Sequence, residues 1–351
     1  MSDKRLRILH APLNIASDPS TLVNALNRLG QDADLAIIAH NPLVVDGNID
    51  LSFRGDNKLV RQLRKYQFCK NELPKYDVLH YHFGRSILDY GQGVFSLMDF
   101  KQAARRNTPL FVTFHGCEVR NLQPGGCPFD CPERACEMMN TTGRTDYIRR
   151  TADLCFVTTP DLLPALPNAQ LLPQSVDGIQ SAPYLPPNAH GTLKILHAPS
   201  APARKGTEHI VSAVNCLKSE GFDLDLCVLT GVSHGVVLSE MRKCDLFIDQ
   251  LVTPWYGVAS VEAASFGKPV MTAIGSEYVK LSGLAAPPFI STFKERITDD
   301  LRALIIDRQV LAEIGKRCRD FVRKRHSSEQ NARHLLSIYR QAIDSRQKGC
   351  C

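Results

Sequence analysis

Apolar residues in the first half of the chain fall into short unbroken runs. RLRILHA (5–11), ADLAIIAH (33–40), YDVLHYHFG (76–84), PLFVTFHG (109–116), ADLCFVTT (152–159) and QLLPQ (170–174) predict strands. Amphipathic segments alternate with them. TLVNALNRLG (21–30) sets Leu22, Val23, Leu26 and Leu29 at helical spacing and stops at Gly30. KLVRQLRKYQFCK (58–70) and FKQAARRN (100–107) also read as helices. Unbroken apolar strands alternating with helices predict a parallel sheet covered on both faces.

The pattern then breaks and restarts. Seven prolines fall within 160–192, at Pro160, Pro164, Pro167, Pro173, Pro183, Pro186 and Pro187, which predicts a linker. After it come the strands TLKILHA (192–198), DLDLCVLTG (223–231), CDLFIDQ (244–250) and KPVMTAI (268–274). Helices are expected between and after them, the last from about 328 to 345. The words ILHAP at 8–12 recur at 195–199, each copy in the first strand of its half. The expected organisation is an N-terminal Rossmann-like domain over 1–175, a linker over 176–191, a C-terminal domain over 192–325, and a terminal segment over 326–351 that returns to the first domain. The fold class is α/β, two doubly wound domains facing across a cleft, with ligands at the carboxyl ends of the strands.

Composition narrows this little. The chain has 351 residues, 44% hydrophobic and 22% charged, in the range of soluble two-domain proteins. No apolar run reaches the ~20 residues of a membrane span. The opening MSDKRLRILHAPLN has no long apolar stretch behind it, so a cytoplasmic protein is expected. The net charge of +6 suits anionic ligands such as nucleotide diphosphates, or an anionic membrane face, and selects neither.

Candidate chemistry lies at two places in the second half. Lys205-Gly206-Thr207 stands where the first strand hands over to its helix, with Arg204 beside it. A helix start offers unpaired N–H groups and a positive dipole end to phosphate. The block WYGVASVEAASFGKPVM (255–271) is a loop, a helix and a strand. Glu262 sits there among small residues, where a carboxylate needs a partner such as a ribose diol.

These residues, with Asp245 to Gln250, Tyr256-Gly257, Glu262-Ala263 and Gly267-Lys268-Pro269-Val270 in that order and spacing, resemble the retaining GT-B glycosyltransferases of family 4 (glycosyl transferases group 1). His80-Tyr81-His82-Phe83-Gly84 and Phe114-His115-Gly116 match the strand-end histidine motifs of that family. The resemblance implies sugar transfer from a nucleotide-sugar donor to a polysaccharide, lipid-linked or small-molecule acceptor, with retention and without a metal or other cofactor in catalysis. It implies a catalytic set of His115, Lys205 and Glu262. Lys205 would hold the donor diphosphate, Glu262 the ribose, and His115 the donor sugar. Arg204, Gly206, Thr207, Tyr256 and Gly257 complete the implied donor site. The chain departs from the family at Pro254, where a glutamate usually stands eight residues before Glu262. Arg204 directly adjoins Lys205, and Ala16 and Ser17 replace the usual glycine pair after the first strand. A sugar-nucleotide epimerase or hydrolase of the same fold, or a non-catalytic nucleotide-binding subunit, remains an alternative.

The first half is read as the acceptor side, with Ala16, Ser17, His82, Gly84, Glu118 and Arg120. His10, His40, His80, His82, His115 and His197 all fall near predicted strand ends. His80 and His82 face the same side of a strand, either as hydrogen-bonded residues shaping a loop or as two ligands of an incomplete metal site. Glu118 and Arg120 contact substrate or each other. Cys117, Cys127, Cys131 and Cys136 form a cluster that could hold a structural zinc, stay reduced, or form a disulfide. Helix 58–70 carries Lys58, Arg61, Arg64, Lys65 and Lys70, with no acid between Asp56 and Glu72. That suits peripheral contact with the inner membrane face as well as plain solvation. No nucleic-acid partner is expected.

Overall fold

The computed structural model describes residues 4–40, 47–88, 97–127, 129 and 142–348. They divide into two compact units. One runs to Cys127, resumes for the stretch ending at Ser175, and takes up the chain again from Ser328; the other is built mainly on Val176–Ser327.

The first unit carries seven parallel strands: β1 (Arg7–Ala11), β2 (Asp32–Ile37), β3 (Ile49–Asp50), β4 (Val78–His82), β5 (Leu110–Phe114), β6 (Leu154–Val157) and β7 (Gln170–Leu171). Their order is β3-β2-β1-β4-β5-β6-β7. Every residue of β4 and β5 is buried, as strands covered on both faces must be. Alternation sends Leu9, Ala11, Leu79, Tyr81, Val112 and Phe114 into one core. Ile8, Val78, Phe111 and Phe156 point into the other, with α1 (Asp18–Arg28). His10 lies opposite His80 in the β1–β4 register, and His82 opposite Thr113 in β4–β5. The strand period therefore sends these polar residues to the second face.

Helices α2 (Lys58–Asn71), α3 (Met98–Arg105), α4 (Cys117–Arg120) and α5 (Thr142–Thr151) complete the connections of this unit. The last helix of the chain, α13 (Ser328–Lys348), lies against it. Ala332, Leu335, Leu336 and Tyr339 form one stripe in the second core. Arg346 then donates to both carboxylate oxygens of Asp153 at 2.8 Å.

The second unit has five parallel strands: β8 (Leu193–His197), β9 (Leu224–Val228), β10 (Leu246–Ile248), β11 (Val270–Thr272) and β12 (Ile290–Ser291), in the order β12-β11-β10-β8-β9. Helices α6 (Pro202–Lys205), α7 (Thr207–Ser219), α8 (His234–Lys243), α9 (Val258–Ser265), α10 (Ser276–Ser282), α11 (Ile297–Ile306) and α12 (Val310–Arg325) follow in chain order. The proline-rich stretch is strapped to this unit. Arg319 donates to the carbonyls of Pro183 and Ala182, Leu185 N donates to Phe266 O, and Asn188 donates to buried Asp245. Prolines lack an N–H, so carbonyls carry much of this binding.

Candidate active site

In the first unit, imidazoles gather at the carboxyl ends of β1, β4 and β5. His10 Nδ1 lies 2.9 Å from His82 Nε2, and His82 Nδ1 lies 3.1 Å from His115 Nε2. His80 stacks on His82 at 4.8 Å between ring centres, 7° from parallel. Its Nδ1 meets the Tyr339 hydroxyl and its Nε2 lies 2.7 Å from Thr113 Oγ1. One ligating nitrogen of each of His10, His80 and His82 falls within 4.8 Å of the others, the spacing the metal reading needs. Two imidazole contacts and two hydroxyls engage every nitrogen of these three rings except His10 Nε2, so hydrogen bonds account for most of the cluster. Burial drives all four rings to the neutral form: His10 and His115 titrate near 3, and His80 and His82 fall well below the usual range, with neighbouring imidazoles adding to the effect.

The loop after β5 is built inward. Glu118, 2% exposed, accepts the backbone N–H of His115, and burial pushes its carboxyl up to about 7 against that hydrogen bond. Arg120, 9% exposed, donates from Nε to fully buried Asp161 at 2.8 Å. Both side chains thus brace the His115 loop. Gly84 follows β4, and a Cβ there would stand 2.8 Å from the Phe114 ring. Ala16 and Ser17, before α1, both adopt left-handed backbone with φ of 52° and 61°. The non-glycine residues therefore keep the backbone shape a glycine pair favours. Of the cysteine cluster, Cys131 and Cys136 lie outside the described residues; Cys117 Sγ sits 3.6 Å from an Arg120 nitrogen.

In the second unit, Lys205 ends the short helix α6, Gly206 turns the chain with φ 77°, and Thr207 opens α7. Lys205 Nζ donates to Asp249 Oδ1 at 2.7 Å. Asp249 follows β10 and also accepts Gly257 N at 2.8 Å and Ser260 Oγ at 2.7 Å. Burial pushes this carboxyl up, but the Lys205 charge and the three donors outweigh it and hold it below the usual value. A Cβ on Gly257 would lie 3.0 Å from Asp249 Oδ2 and 3.2 Å from Lys205 Nζ, so the glycine admits the pair. Thr207 Oγ1 meets His197 Nε2 at 2.9 Å, while His197 Nδ1 donates to Ile248 O at 2.8 Å. Glu262 Oε1 receives His234 Nε2 at 2.7 Å, a bond that raises the histidine's pKa. Arg204 is half-buried beside Lys205.

Tyr256 is buried among Trp255, Phe289 and Phe321, and its hydroxyl lies 3.1 Å from His326 Nε2. Its side chain belongs to the core of the unit. Asp249 and His234 carry the arrangement, and sequence reasoning gave neither a role. An aspartate at a predicted strand end, six residues before Trp255, was the available signal for the first.

The basic helix α2 differs from its sequence reading. Lys65 is buried and Arg64 pairs with Asp56 at 3.2 Å, while Leu59 is 80% and Leu63 55% exposed. Among the described residues no helix is long and apolar enough to cross a membrane.

No protein-family profile and no curated protein matches this sequence. Solved structures do. Sucrose-phosphate synthase from Thermosynechococcus elongatus aligns with a TM-score of 0.65 at 15% identity, over 97% of this chain and 100% of that one. The Anabaena protein HepE, solved with UDP and glucose, aligns with a TM-score of 0.65 at 13% identity, over 95% and 99%. A Listeria monocytogenes protein described as a "putative UDP-N-acetylglucosamine 2-epimerase" aligns with a TM-score of 0.55 at 14% identity, over 97% and 98%. The two parallel α/β sheets and these full-length likenesses give the chain the GT-B fold.

Proposed function

We propose that the chain is a retaining glycosyltransferase that moves a sugar from a nucleotide-sugar donor to a carbohydrate, lipid-linked or small-molecule acceptor. The observation that carries this reading is the Lys205–Asp249–Gly257 arrangement at the carboxyl edge of the second sheet, beside Glu262, in a chain of GT-B fold. In this reading Lys205 and the backbone at Gly206 and Thr207 bind the diphosphate. Glu262 offers its second carboxylate oxygen to a ribose hydroxyl, and His234 holds the first. The bond from the anomeric carbon to the diphosphate oxygen breaks, and one to the acceptor oxygen forms on the same face. The acceptor proton leaves with the diphosphate. Stabilising the charge that builds on that oxygen is the main task of Lys205.

The test is a panel of UDP-, GDP-, ADP- and dTDP-sugars, read by calorimetric binding and by release of nucleoside diphosphate. One donor is expected to bind, and Lys205→Ala and Glu262→Ala to weaken it at least tenfold. No binding by any donor overturns the reading. The epimerase likeness supports a second one, in which epimerised or free sugar accumulates without an acceptor. Anomeric NMR of the product separates the two and reads retention directly.

For a lipid-linked acceptor, the exposed apolar stripe Leu59, Leu63 and Tyr66 on α2, with Lys58 and Lys70 beside it, suits an anionic bilayer surface. Co-sedimentation with anionic but not zwitterionic vesicles, lost in Leu59→Glu/Leu63→Glu, is the expected result.

A further inference from the structure

The first unit holds a cavity of about 620 Å3 at the amino-terminal edge of its sheet, the edge opposite the imidazoles. The segments that lead into β1, β4 and β5 form one wall, and Leu6, Tyr76 and Pro109 give it an apolar floor. The other wall is α13. Arg340, Ile343, Asp344 and Gln347 fall at i, i+3, i+4 and i+7, so one face of the helix lines the cavity. The volume is that of a small-molecule site.

The described lining carries four cations, Lys4, Arg106, Arg340 and Arg346, against two carboxylates, Asp77 and Asp344. Lys4 Nζ stands 3.3 Å from Asp77, whose other oxygen already accepts Arg7 N. Arg346 is committed to Asp153 and Asn107. Arg106, just before β5, and Arg340 have no hydrogen bond or ion pair at their guanidinium among the described residues. Asp344 lies one turn beyond Arg340, is exposed, and makes no bond to it. Arg340 is half-buried, and its Nε is a buried N–H with no acceptor. Arg7, Arg61, Arg308 and Arg323 also bury an unbonded Nε, but Arg7 has Asp32 at 3.2 Å and the other three donate from another nitrogen. Arg340 has neither. A charged donor cut off from water and left unpaired is costly, so an anion belongs there.

We propose that this cavity binds a small soluble phosphomonoester, with Arg106 and Arg340 holding the phosphate and the apolar floor receiving the body attached to it. The two surplus charges match the charge of about −1.5 to −2 on a phosphomonoester at neutral pH. Guanidinium forks fit phosphate oxygens two at a time. Such a ligand joins α13 to the strand edges and so stabilises the docked terminal helix. The site lies wholly within the first unit and does not depend on the donor reading above.

The experiment is calorimetric titration of the full chain with glucose 6-phosphate, AMP and inorganic phosphate, with glucose and adenosine as uncharged controls. A phosphomonoester is expected to bind and to raise Tm, and the controls to do neither. Arg340→Gln and Arg106→Gln are each expected to weaken that binding about tenfold or more, roughly one charge-assisted hydrogen bond, while Lys205→Ala leaves it unchanged. Without ligand, Arg340→Gln is expected to melt no lower than wild type, because it removes a charge that has no partner. Nucleoside diphosphate release from a donor found by the panel is expected to survive both arginine substitutions. Phosphomonoester binding that is lost in Lys205→Ala and kept in the arginine variants belongs to the donor site, and it overturns the proposal while supporting the donor reading. No binding by any phosphorylated probe overturns the proposal and leaves the donor reading untouched. Inorganic phosphate binding as tightly as the two esters overturns the part given to the apolar floor.

Discussion

Asp249 ties together three segments of the second unit, and its removal gives the sharpest test of that unit's organisation. Its carboxylate takes Lys205 Nζ, Gly257 N and Ser260 Oγ, at 2.7, 2.8 and 2.7 Å, from the end of α6, the loop before α9 and α9 itself. The pair is screened from water, with the two side chains 15% and 4% exposed. Asp249→Ala leaves an ammonium, an N–H and a hydroxyl without their acceptor. Breaking a buried pair on one side costs about 3–5 kcal/mol. In a unit of this size that is roughly a 10 °C fall in Tm. Asp249→Asn keeps an acceptor but loses the charge, so about 2 kcal/mol is expected. Urea unfolding of both variants, of Lys205→Met and of the double variants measures the coupling, which should exceed ~1 kcal/mol and change little with salt. The carboxyl is held below its usual pKa, so its stabilisation is present above the ordinary carboxylate range and is lost as pH falls through the lower folded value. A cost below ~1 kcal/mol for Asp249→Ala, with no coupling to Lys205, refutes the account.

Three further outcomes follow from the same geometry. Gly257→Ala places a methyl 3.0 Å from Asp249 Oδ2 and should cost about 1–2 kcal/mol in urea unfolding. Ala16→Gly relieves left-handed backbone worth ~1–2 kcal/mol against about 0.5–1 of added chain entropy, so a small rise in Tm is expected. Asp18 is buried and titrates near 7, because burial outweighs the N–H of Ser175. The folded state therefore holds a proton that the unfolded state has released between about pH 4 and 7, and stability falls as pH rises through that window by ~1.4 kcal/mol per unit. Asp18→Asn should remove that slope, giving a gain at pH 8 that vanishes near pH 4, read as Tm against pH.

Sequence patterning reports periodicity and local propensity, and the elements that depend on those are where the sequence placed them. β4 and β5 are unbroken apolar runs, and α7 shows its stripe of Ile210, Val214 and Leu217. Helices α4 and α6 escaped because four residues are too few to show a period. Helix α5 escaped because its only fully buried apolar residue is Ile148. The candidate site is legible in its parts and not in its pairings. Lys205 and Glu262 stand out locally, but their partners Asp249 and His234 lie 44 and 28 residues away, and only the tertiary fold brings them in. Tyr256 shows the converse: its motif placed it at a site, and the aromatic core claims its side chain.

The repeated ILHAP shows how far local sequence reaches. Both copies put isoleucine and histidine on one face of a first strand and leucine on the other, and both histidines are sealed, at 0% for His10 and 1% for His197. The repeat therefore specifies position and burial twice over. It does not specify protonation. His197 meets a backbone carbonyl, Ile248 O, which can only accept, so its proton sits on Nδ1 and its Nε2 takes the Thr207 hydroxyl. His10 meets His82, which can donate or accept, so nothing in the immediate contact fixes its tautomer. The choice passes through His82 to His115, whose Nδ1 is buried and, among the described residues, as unpartnered as His10 Nε2 at the other end. The same five residues thus make a fixed brace in one unit and one end of a reversible hydrogen-bond chain in the other, and the difference lies in whether the neighbour can reverse its hydrogen bond.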